Sequence, residues 1–373
     1  MNLLEQQLDY PLGERLPAPG QCIEVVPGVK WLRMALPFAL NHINLWLLRD
    51  ELEDPRHPGE MRQGWSVVDC CISAPESRDM WEAVFATELE GLPILRVIVT
   101  HMHPDHIGLA GWLCERWTTA TRTCRLWISA TDYTTAVNGS RGSTGFGGDS
   151  AATFFASHGL VDAEAVEKIR ARNTYYPSLV PNVPDSYVRL LEGKTVVIGQ
   201  DAARHAWRCI SGYGHAPEHI ALYCAELNLL IAGDMVLPRI STNVSVYDQE
   251  PEADALRLFL DSIEKYLALP ADALVLPSHG KPFTGLHTRI GQLQDHHRAR
   301  LDEVMQACAA QPHSAADILP IMFPRVLDLH QTTFAMGEAL AHLHLLWFEK
   351  KLERRLCSDD IYRFNTPLPP AHS

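Results

Sequence analysis

The sequence predicts an α+β protein in which two β-sheets form a sandwich with helices outside, followed by a helical C-terminal domain. Short apolar runs alternate with amphipathic stretches in two similar halves between about residues 20 and 285, which indicates two sheets covered by helices. From Leu286 onwards the apolar spacing becomes helical. Of the 373 residues, 46% are hydrophobic and 21% are charged, which is typical of an ordinary globular protein.

The first half of the predicted sandwich begins with β-rich runs and leads to a buried strand that ends in polar residues. Alternating apolar residues bounded by proline and glycine predict the strands, and apolar spacing that stops at Gly91 predicts a helix. In order, the segments read QCIEVVPGVKWLRMAL, HINLWLLRD, GWSVVDCCIS, SRDMWEAVFATELEG and LPILRVIVT, followed by a helix, GLAGWLCERW, and a strand, CRLWISA.

The second half follows a helical insertion at about residues 131–190, which we expect to lie over the face where the polar residues emerge. The insertion combines a glycine- and serine-rich stretch that we expect to be mobile, NGSRGSTGFGGDS, with a helical stretch, DAEAVEKIRARNTYYPSL. Four strands, a helix and a last buried strand come next. They read KTVVIGQ, AWRCISGYGH, HIALYCAEL, NLLIAGDMV, ADALRLFLDSIEKYLAL and ADALVLPSH.

The C-terminal segment predicts two long helices separated by a short, serine-capped helix, and then a terminal β-wing, which is the outline of a winged helix. These elements read HTRIGQLQDHHRARLDEVMQACAA, HSAADILPIMF, TFAMGEALAHLHLLWFEKKLERRL and CSDDIYRFN, with the first and third as the long helices. We therefore predict two domains, residues 1–285 with the insertion, and a winged-helix-like domain over residues 286–373.

The charge balance argues against nucleic acids and membranes as partners. The chain has 32 Lys and Arg against 45 Asp and Glu, a net charge of −13, which repels anionic polymers and anionic membrane surfaces. Residues 285–373 hold nine basic and ten acidic residues, so they lack the basic track of a nuclease. We expect a small-molecule substrate, no DNA and no membrane, with RNA as the weaker alternative. A homodimer is left open.

The cysteines and the N-terminus favour a cytoplasmic location. Nine cysteines are scattered along the chain without a CxxC motif, a pattern that fits reduced thiols better than a disulfide framework. The N-terminus has no apolar core of signal-peptide length, and no apolar run approaches the roughly 20 residues that span a bilayer. We therefore expect a soluble intracellular protein.

The segment THMHPDHIG, residues 100–108, concentrates candidate metal ligands in one loop. His101, His103, Asp105 and His106 directly follow a buried strand, and loops at strand ends are where functional sites collect. Alternation along extended backbone lets the first two histidines point the same way, and Pro104 turns the chain before the other two ligands. A polar loop with satisfied histidines is the alternative, and the density of ligands argues against it.

Three later residues share this position at a strand end. They are His215 in SGYGHAPEH, Asp234 in LLIAGDM and His279 in LVLPSHG. Each alone is more often a hydrogen-bonded core residue, but with the first loop they make five imidazoles and two carboxylates. That donor set is sufficient for two divalent metal ions, with zinc favoured and iron or manganese as alternatives.

The pattern resembles the metallo-β-lactamase-fold hydrolases over about residues 20–285. THMHPDHIG matches their HxHxDH signature, and the later His, Asp and His follow in the family's order. The resemblance implies an αββα sandwich and assigns the ligands to two metal ions. By that resemblance His101, His103 and His215 hold the first ion, Asp105, His106 and His279 hold the second, and Asp234 bridges them.

Other parts of the chain refine the resemblance. GHAPEH stands where relatives have GHTPGH, so Glu218 replaces a glycine, and SHG stands for GHG. HHRARLDEVM and EALAHLHLLWFEKKL resemble the winged-helix appendage of the β-lactamase-like protein 2 group. Asp69 is a candidate partner of a ligand histidine. His219 either packs beneath the GHAPEH motif or bonds a ligand, and Asn41 and His42 lie either near the site or in a simple turn.

The implied chemistry is hydrolysis of a small acyl compound, a thioester, lactone or ester, by a metal-bound hydroxide, with Asp105 orienting the water and accepting a proton. Within that class the resemblance favours a glyoxalase-II-like thioesterase. An endoribonuclease or phosphodiesterase of the same fold is the second hypothesis. A mononuclear iron persulfide dioxygenase is the third, and the intact ligand set argues against a metal-free binding module.

Overall fold

The computed structural model describes residues 3–142 and 147–367, with Ala202 described in its backbone alone. Ser143–Phe146, part of the glycine- and serine-rich stretch that we expected to be mobile, lie outside the described residues. Residues 1–2 and 368–373, at the ends of the two predicted domains, also lie outside them.

The chain forms two compact units, each built from three segments. The sandwich unit comprises Met1–Arg141, Tyr176–Ile240 and Ile263–Ile290, and the helical unit comprises Gly142–Tyr175, Ser241–Ser262 and Gly291–Ser373. Because these units combine separate stretches of chain, they do not follow the single boundary at residue 285. The assignment of residues 1–285 and 286–373 as domains stays a prediction.

The first sheet of the sandwich unit has seven strands in chain order. They are β1 (Cys22–Val26), β2 (Val29–Ala35), β3 (His42–Glu53), β4 (Met61–Val68), β5 (Ile94–Ile98), β6 (Arg125–Ile128) and β7 (Tyr187–Arg189). Strands β1 to β4 pair antiparallel, and β4 to β7 pair parallel. The sequence analysis missed β7, since three residues are too few to show an alternating pattern.

The second sheet has five strands in the order β12-β11-β10-β9-β8. They are β8 (Thr195–Ile198), β9 (His205–Gly212), β10 (His219–Cys224), β11 (Leu229–Gly233) and β12 (Leu274–Pro277). Their neighbours pair antiparallel except β11 and β12, which pair parallel. All five coincide with segments that the sequence predicts as strands.

Apolar side chains of the two sheets form one core. Trp31, Trp46 and Ile98 of the first sheet belong to the same buried cluster as Trp207 and Leu222 of the second. The rings of Trp31 and Trp46 stack with centroids 6.3 Å apart. This core confirms the predicted α+β sandwich, because burial of large apolar side chains between layers is the main source of its stability.

Helices complete both units. They are α1 (Pro75–Thr87), α2 (Pro104–Ile107), α3 (Ala110–Trp117), α4 (Ala130–Ser140), α5 (Asp149–Ser157), α6 (Ala163–Arg170), α7 (Tyr175–Leu179), α8 (Ala255–Glu264), α9 (Leu286–Ala310), α10 (Ala315–Met322) and α11 (Leu329–Phe348). In the sandwich unit α1 and α3 pack against the first sheet. Within the described ranges, none of the helices combines the length and apolar character required to cross a bilayer.

The helical unit ends in the order of elements that the sequence predicts. Ser314 caps α10 in a capping box with Asp317, as expected for the predicted serine cap. Helix α11 ends at Phe348 rather than continuing through LERRL, and residues Glu353–Leu356 instead form β13, which pairs with β14 (Tyr362–Asn365). The winged-helix assignment of this region stays a prediction.

A buried ion pair links the two sheets. Arg96 of β5 donates to the Asp50 carboxylate and, through its Nη2, to the carbonyl of Val197 in β8 at 2.7 Å. The backbone N–H of Gly199 donates to the same carboxylate. Both charged side chains are almost fully buried, so the attraction between them must offset the hydration that each loses on folding.

We expect Arg96→Met to lower the free energy of unfolding by about 3–5 kcal/mol, because it leaves the Asp50 carboxylate buried without its cation. Urea unfolding followed by tryptophan fluorescence measures this change. Arg298→Met is the matched control, since it removes an arginine from an exposed pair with Asp295 and should change stability little. Equal unfolding midpoints for the two variants would contradict a structural role for the buried pair.

Candidate metal centre

The loop after β5 presents the first group of candidate ligands. Strand β5 ends at Ile98, and Pro104 begins the short helix α2 with His103 in extended conformation before it. Proline favours the first helical turn because it has no N–H to satisfy there. This turn separates His101 from Asp105 and His106, so one loop supplies ligands to two groups of side chains.

Three imidazoles meet in the first group. Nε2 of His101 lies 2.9 Å from Nδ1 of His103 and 3.1 Å from Nε2 of His215. Nδ1 of His103 lies 3.1 Å from Nε2 of His215, which comes from the loop between β9 and β10. Three ring nitrogens at nearly equal spacing converge on one point, as imidazoles that share a metal ion do.

The second group consists of Asp105, His106 and His279. Oδ2 of Asp105 lies 3.7 Å from Nε2 of His106 and 3.5 Å from Nε2 of His279. His279 lies two residues after Pro277, where β12 ends. The donor atoms of each group lie within 4.8 Å of one another, so all three side chains can bind a single cation.

Asp234, at the end of β11, stands between the two groups. Its Oδ2 lies 3.4 Å from Nε2 of His215 in the first group. Its Oδ1 lies 3.5 Å from Nε2 of both His106 and His279 in the second. One carboxylate thus directs one oxygen to each group, which is the arrangement that a bridging ligand needs.

The charges around these groups favour a cation. Burial, together with neighbouring imidazoles, lowers the pKa values of His101 and His103 well below the ordinary value, so both rings are neutral. Burial also acts to lower the pKa of His106, but the carboxylates of Asp105, Asp69 and Asp234 outweigh it and raise the pKa to about 10. Histidine binds a metal ion as the neutral ring, so a bound cation would replace the proton that these carboxylates favour on His106.

The donor set fits divalent metal ions. Nε2 of His106 is buried and has no hydrogen-bond partner in the described part of the chain, and such an orphaned nitrogen is rare unless it binds something. Imidazole nitrogens with carboxylate oxygens suit zinc, iron or manganese. The seven predicted ligands therefore come together as two adjoining groups of metal-binding character.

Asp69 holds the loop that carries these ligands. Its Oδ2 lies 2.8 Å from Nδ1 of His106, and Oδ1 accepts the backbone N–H of Thr100 at 2.8 Å. The hydroxyl of Thr100 bonds the same carboxylate and lies 3.0 Å from Nδ1 of His101. A proton on Nδ1 of His101 and of His106 leaves the Nε2 lone pair of each ring directed at the site. Asp69 thus has the position that the sequence analysis suggested.

The start of β3 holds the loop with His279. Nδ1 of His279 lies 2.7 Å from the carbonyl oxygen of His42, and the N–H of Gly280 donates to Nε2 of His42. Buried Asn44 accepts from the indole of Trp31 and donates to the carbonyls of Pro277 and Gly280. His42 is therefore beside the site, and Asn44 is a positioning residue that the sequence analysis missed.

Asp132 at the start of α4 connects the two histidine loops. Its fully buried carboxylate accepts the N–H of Met102, between His101 and His103, at 2.7 Å. It also accepts the N–H of Glu218, near His215, at 2.6 Å. The sequence analysis missed Asp132, since its partners are backbone amides that are distant along the chain and no side-chain motif records them.

The structure also shows the contacts of the three other residues that the sequence singled out, His219, Glu218 and Asn41. His219 is buried, and its Nε2 accepts the backbone N–H of Asp234 at 3.2 Å, so it supports that ligand. Glu218 directs its carboxylate to the hydroxyls of Thr131 and Ser211. Asn41 bonds only its neighbour His42 by side chain among the described contacts.

The fold and this cluster define a class of protein, a two-sheet sandwich with a histidine- and aspartate-rich candidate metal site at the ends of its strands. Residues 62–279 match the family model of the metallo-beta-lactamase superfamily, and residues 301–367 match that of the metallo-beta-lactamase-like C-terminal domain. The chain belongs to the metallo-β-lactamase superfamily. A metal-dependent hydrolase is the class of enzyme that this membership and the cluster define.

Solved structures and a curated relative agree with this assignment. A β-lactamase domain protein from Burkholderia ambifaria is 52% identical with a TM-score of 0.90, over 98% of this chain and 100% of that one. A metallo-β-lactamase family protein from Thermus thermophilus is 27% identical with a TM-score of 0.71, over 92% and 100%. A probable metallo-hydrolase from Bacillus subtilis is 26% identical over 151 residues, 39% of this chain and 46% of that protein, so the match spans just under half of its length.

We expect Asp69→Asn to weaken metal binding about 10- to 100-fold, because partners that orient ligand histidines contribute that much to affinity. Asp69 has a positive φ of 62°, a conformation that asparagine also tolerates, so the backbone should stay in place. Competition with a chromophoric chelator measures the affinity, with exposed Asp79→Asn as the matched control. Unchanged affinity in Asp69→Asn would remove Asp69 from this role.

Proposed function

We propose that the protein is a dinuclear metal-dependent hydrolase that acts on a small acyl compound, a thioester, lactone or ester. The observation that carries the proposal is the position of Asp234, whose two oxygens face different groups of ligands at 3.4 and 3.5 Å. A carboxylate shared in this way supports two ions, and the nitrogen and oxygen donors favour zinc. Iron or manganese are the alternatives.

The chain's own residues divide the work of hydrolysis. Bound divalent ions would supply Lewis acidity, which lowers the pKa of water and polarises a carbonyl oxygen. The Asp105 side chain is 18% exposed, whereas that of Asp234, the other carboxylate of the cluster, is 10% exposed. Asp105 is therefore the carboxylate that incoming water and substrate can reach, and we assign it the roles of orienting the water and accepting its proton.

A covalent route through a cysteine has little support in this cluster. Cys70 and Cys71 are both fully buried, and the thiol of Cys70 donates to the carbonyl oxygen of His106. A buried thiol that is already hydrogen-bonded to the backbone is poorly placed to attack a substrate. Attack by water, with Asp105 as its base, is thus the route that these side chains support.

Ion pairing on the C-terminal segment supports a small substrate over a nucleic acid. Of the nine basic residues in 285–373, six have a carboxylate within salt-bridge distance. These are Arg298, Arg300, Lys351, Arg354, Arg355 and Arg363. Nucleic-acid binding needs basic side chains that are available to neutralise phosphates and displace the counterions of the nucleic acid. Pairing with carboxylates reduces that availability. The acidic net charge of −13 acts in the same direction.

A substrate panel tests the reaction class. We expect the metal-loaded protein to hydrolyse at least one thioester, lactone or ester much faster than phosphodiesters or RNA, and removal of the metal by a chelator to abolish turnover. Readdition of zinc should restore it. Cleavage of RNA without acyl hydrolysis would instead favour the endoribonuclease. Metal analysis separates the remaining alternative, because two zinc equivalents per chain exclude an iron dioxygenase, whereas one iron with oxygen uptake favours it.

Replacement of Asp105 tests the assignment of the base. Asp105→Asn keeps the size of the side chain but removes its basicity, so we expect kcat to fall by orders of magnitude on the best substrate. Circular dichroism should be unchanged, and metal content measured in parallel separates lost catalysis from lost metal. Asp79→Asn is the matched control for charge. Wild-type turnover by the Asp105 variant would mean that another group accepts the proton.

A further inference from the structure

The sandwich unit contains a cavity of about 450 Å³ beside the metal centre. His279, a member of the second ligand group, lines it together with His42 and Gly280. This volume falls within the range of small-molecule sites in proteins. The cavity is therefore large enough for the part of a substrate that extends away from the reacting bond.

Three basic side chains line this cavity, and they differ in their partners. Lys281 pairs with Glu14 at 3.0 Å, so its charge is balanced. Arg33 and Arg239 also line the cavity, and within the described ranges neither has a carboxylate or hydrogen-bond partner. Burial lowers the pKa of Arg33 below its ordinary value, and two carboxylates, Glu5 and Glu14, line the same cavity. A half-buried guanidinium without an anion is costly to desolvate.

The backbone ties Arg33 to the metal centre. Trp31 and Arg33 are two residues apart on β2, so they project to the same face of the sheet. Trp31 bonds to Asn44, and Arg33 lies opposite Asn44 in the strand pairing. Asn44 holds the loop that carries His279. The side of β2 that bears Arg33 is therefore the side on which that ligand is fixed.

Leu16, Leu40 and Ile240 supply the apolar part of the wall. Leu16 and Ile240 line the cavity and are 50% and 41% exposed. A site that combines apolar contact area with a few placed polar groups is typical of small organic ligands. The occupant that fits both features has a short apolar body and an oxyanion, because guanidinium binds carboxylate and phosphate groups well.

We infer that Arg33 and Arg239 form an anion subsite that binds a carboxylate or phosphate group of the acyl substrate, at a distance from the bond that is hydrolysed. This inference rests on the proposed hydrolase function and names the substrate class for the same site. The guanidinium contacts are the same in the ground state and the transition state, so they lower KM without changing kcat.

Matched substrates test the subsite. Three aryl thioesters that differ only at the distal end of the acyl chain, as carboxylate, phosphate or carboxamide, are assayed with the metal-loaded protein. We expect Arg33→Gln to raise KM about tenfold for the preferred anionic substrate, with kcat unchanged and no effect on the carboxamide. Arg33→Lys should retain part of the affinity, and Arg239→Gln should raise KM several-fold. The anionic substrate whose KM rises more in the variants identifies the group, carboxylate or phosphate, that the subsite binds.

Arg15→Gln is the matched control, because it removes an exposed arginine from the segment next to Leu16 without lining the cavity. An equal loss in Arg15→Gln, or an equal loss on the carboxamide, would overturn the subsite. Binding of glutarate and of inorganic phosphate, measured by calorimetry, gives a readout independent of turnover, and it should weaken in Arg33→Gln. If no thioester is hydrolysed but this binding still depends on Arg33 and Arg239, the hydrolase proposal fails while the subsite remains.

Discussion

The contact between lone pairs of buried imidazoles is the constraint on which the site depends. Nitrogens of His101, His103 and His215 lie 2.9–3.1 Å apart, with His101 fully buried and His103 partly exposed. Lone pairs of ring nitrogens at this distance repel one another unless a proton or a metal ion lies among them. Asp234, with His215 and His279 on its two sides, supplies negative charge at the same point. The chain thus maintains an arrangement whose energy becomes favourable when cations are shared.

Buried polar residues resist that repulsion by fixing the backbone rather than the rings alone. Asp69 holds the Thr100 amide, Asp132 holds those of Met102 and Glu218, and Asn44 holds the loop at Pro277–Gly280. Each connects segments that are far apart in sequence, and each is buried. A polar group that is buried with all of its partners is expensive to disturb. The ligand loops are therefore preorganised, which limits the reorganisation that metal binding requires.

The residues that the structure gathers into the candidate metal centre could be identified from the sequence because their signal is local. His101–His106 occupy one loop, and the later ligands each end an apolar strand, so strand periodicity alone places them at sheet edges. Asn44 and Asp132 gave no such signal, since they bond to backbone atoms 233 and 30 residues away. Every residue has a backbone carbonyl, and every residue except proline has a backbone N–H, so the identity of the partner residue does not reveal these bonds. The end of α11 was misjudged because LERRL continues a pattern of apolar and charged residues that suits a helix or a strand.

Selection of a substrate must come from outside the seven candidate ligands, because divalent cations that activate water act on many acyl and phosphoryl bonds alike. The net charge of −13 repels anions from the chain as a whole, but salt screens such effects beyond about 8–10 Å. Arg33 is half-buried and lines the same cavity as His279, so it acts on an anion in that cavity within this distance. An anion that reaches the cavity exchanges its hydration for a guanidinium that has already lost part of its own water. Such a residue discriminates among bound substrates and does little to attract them from solution.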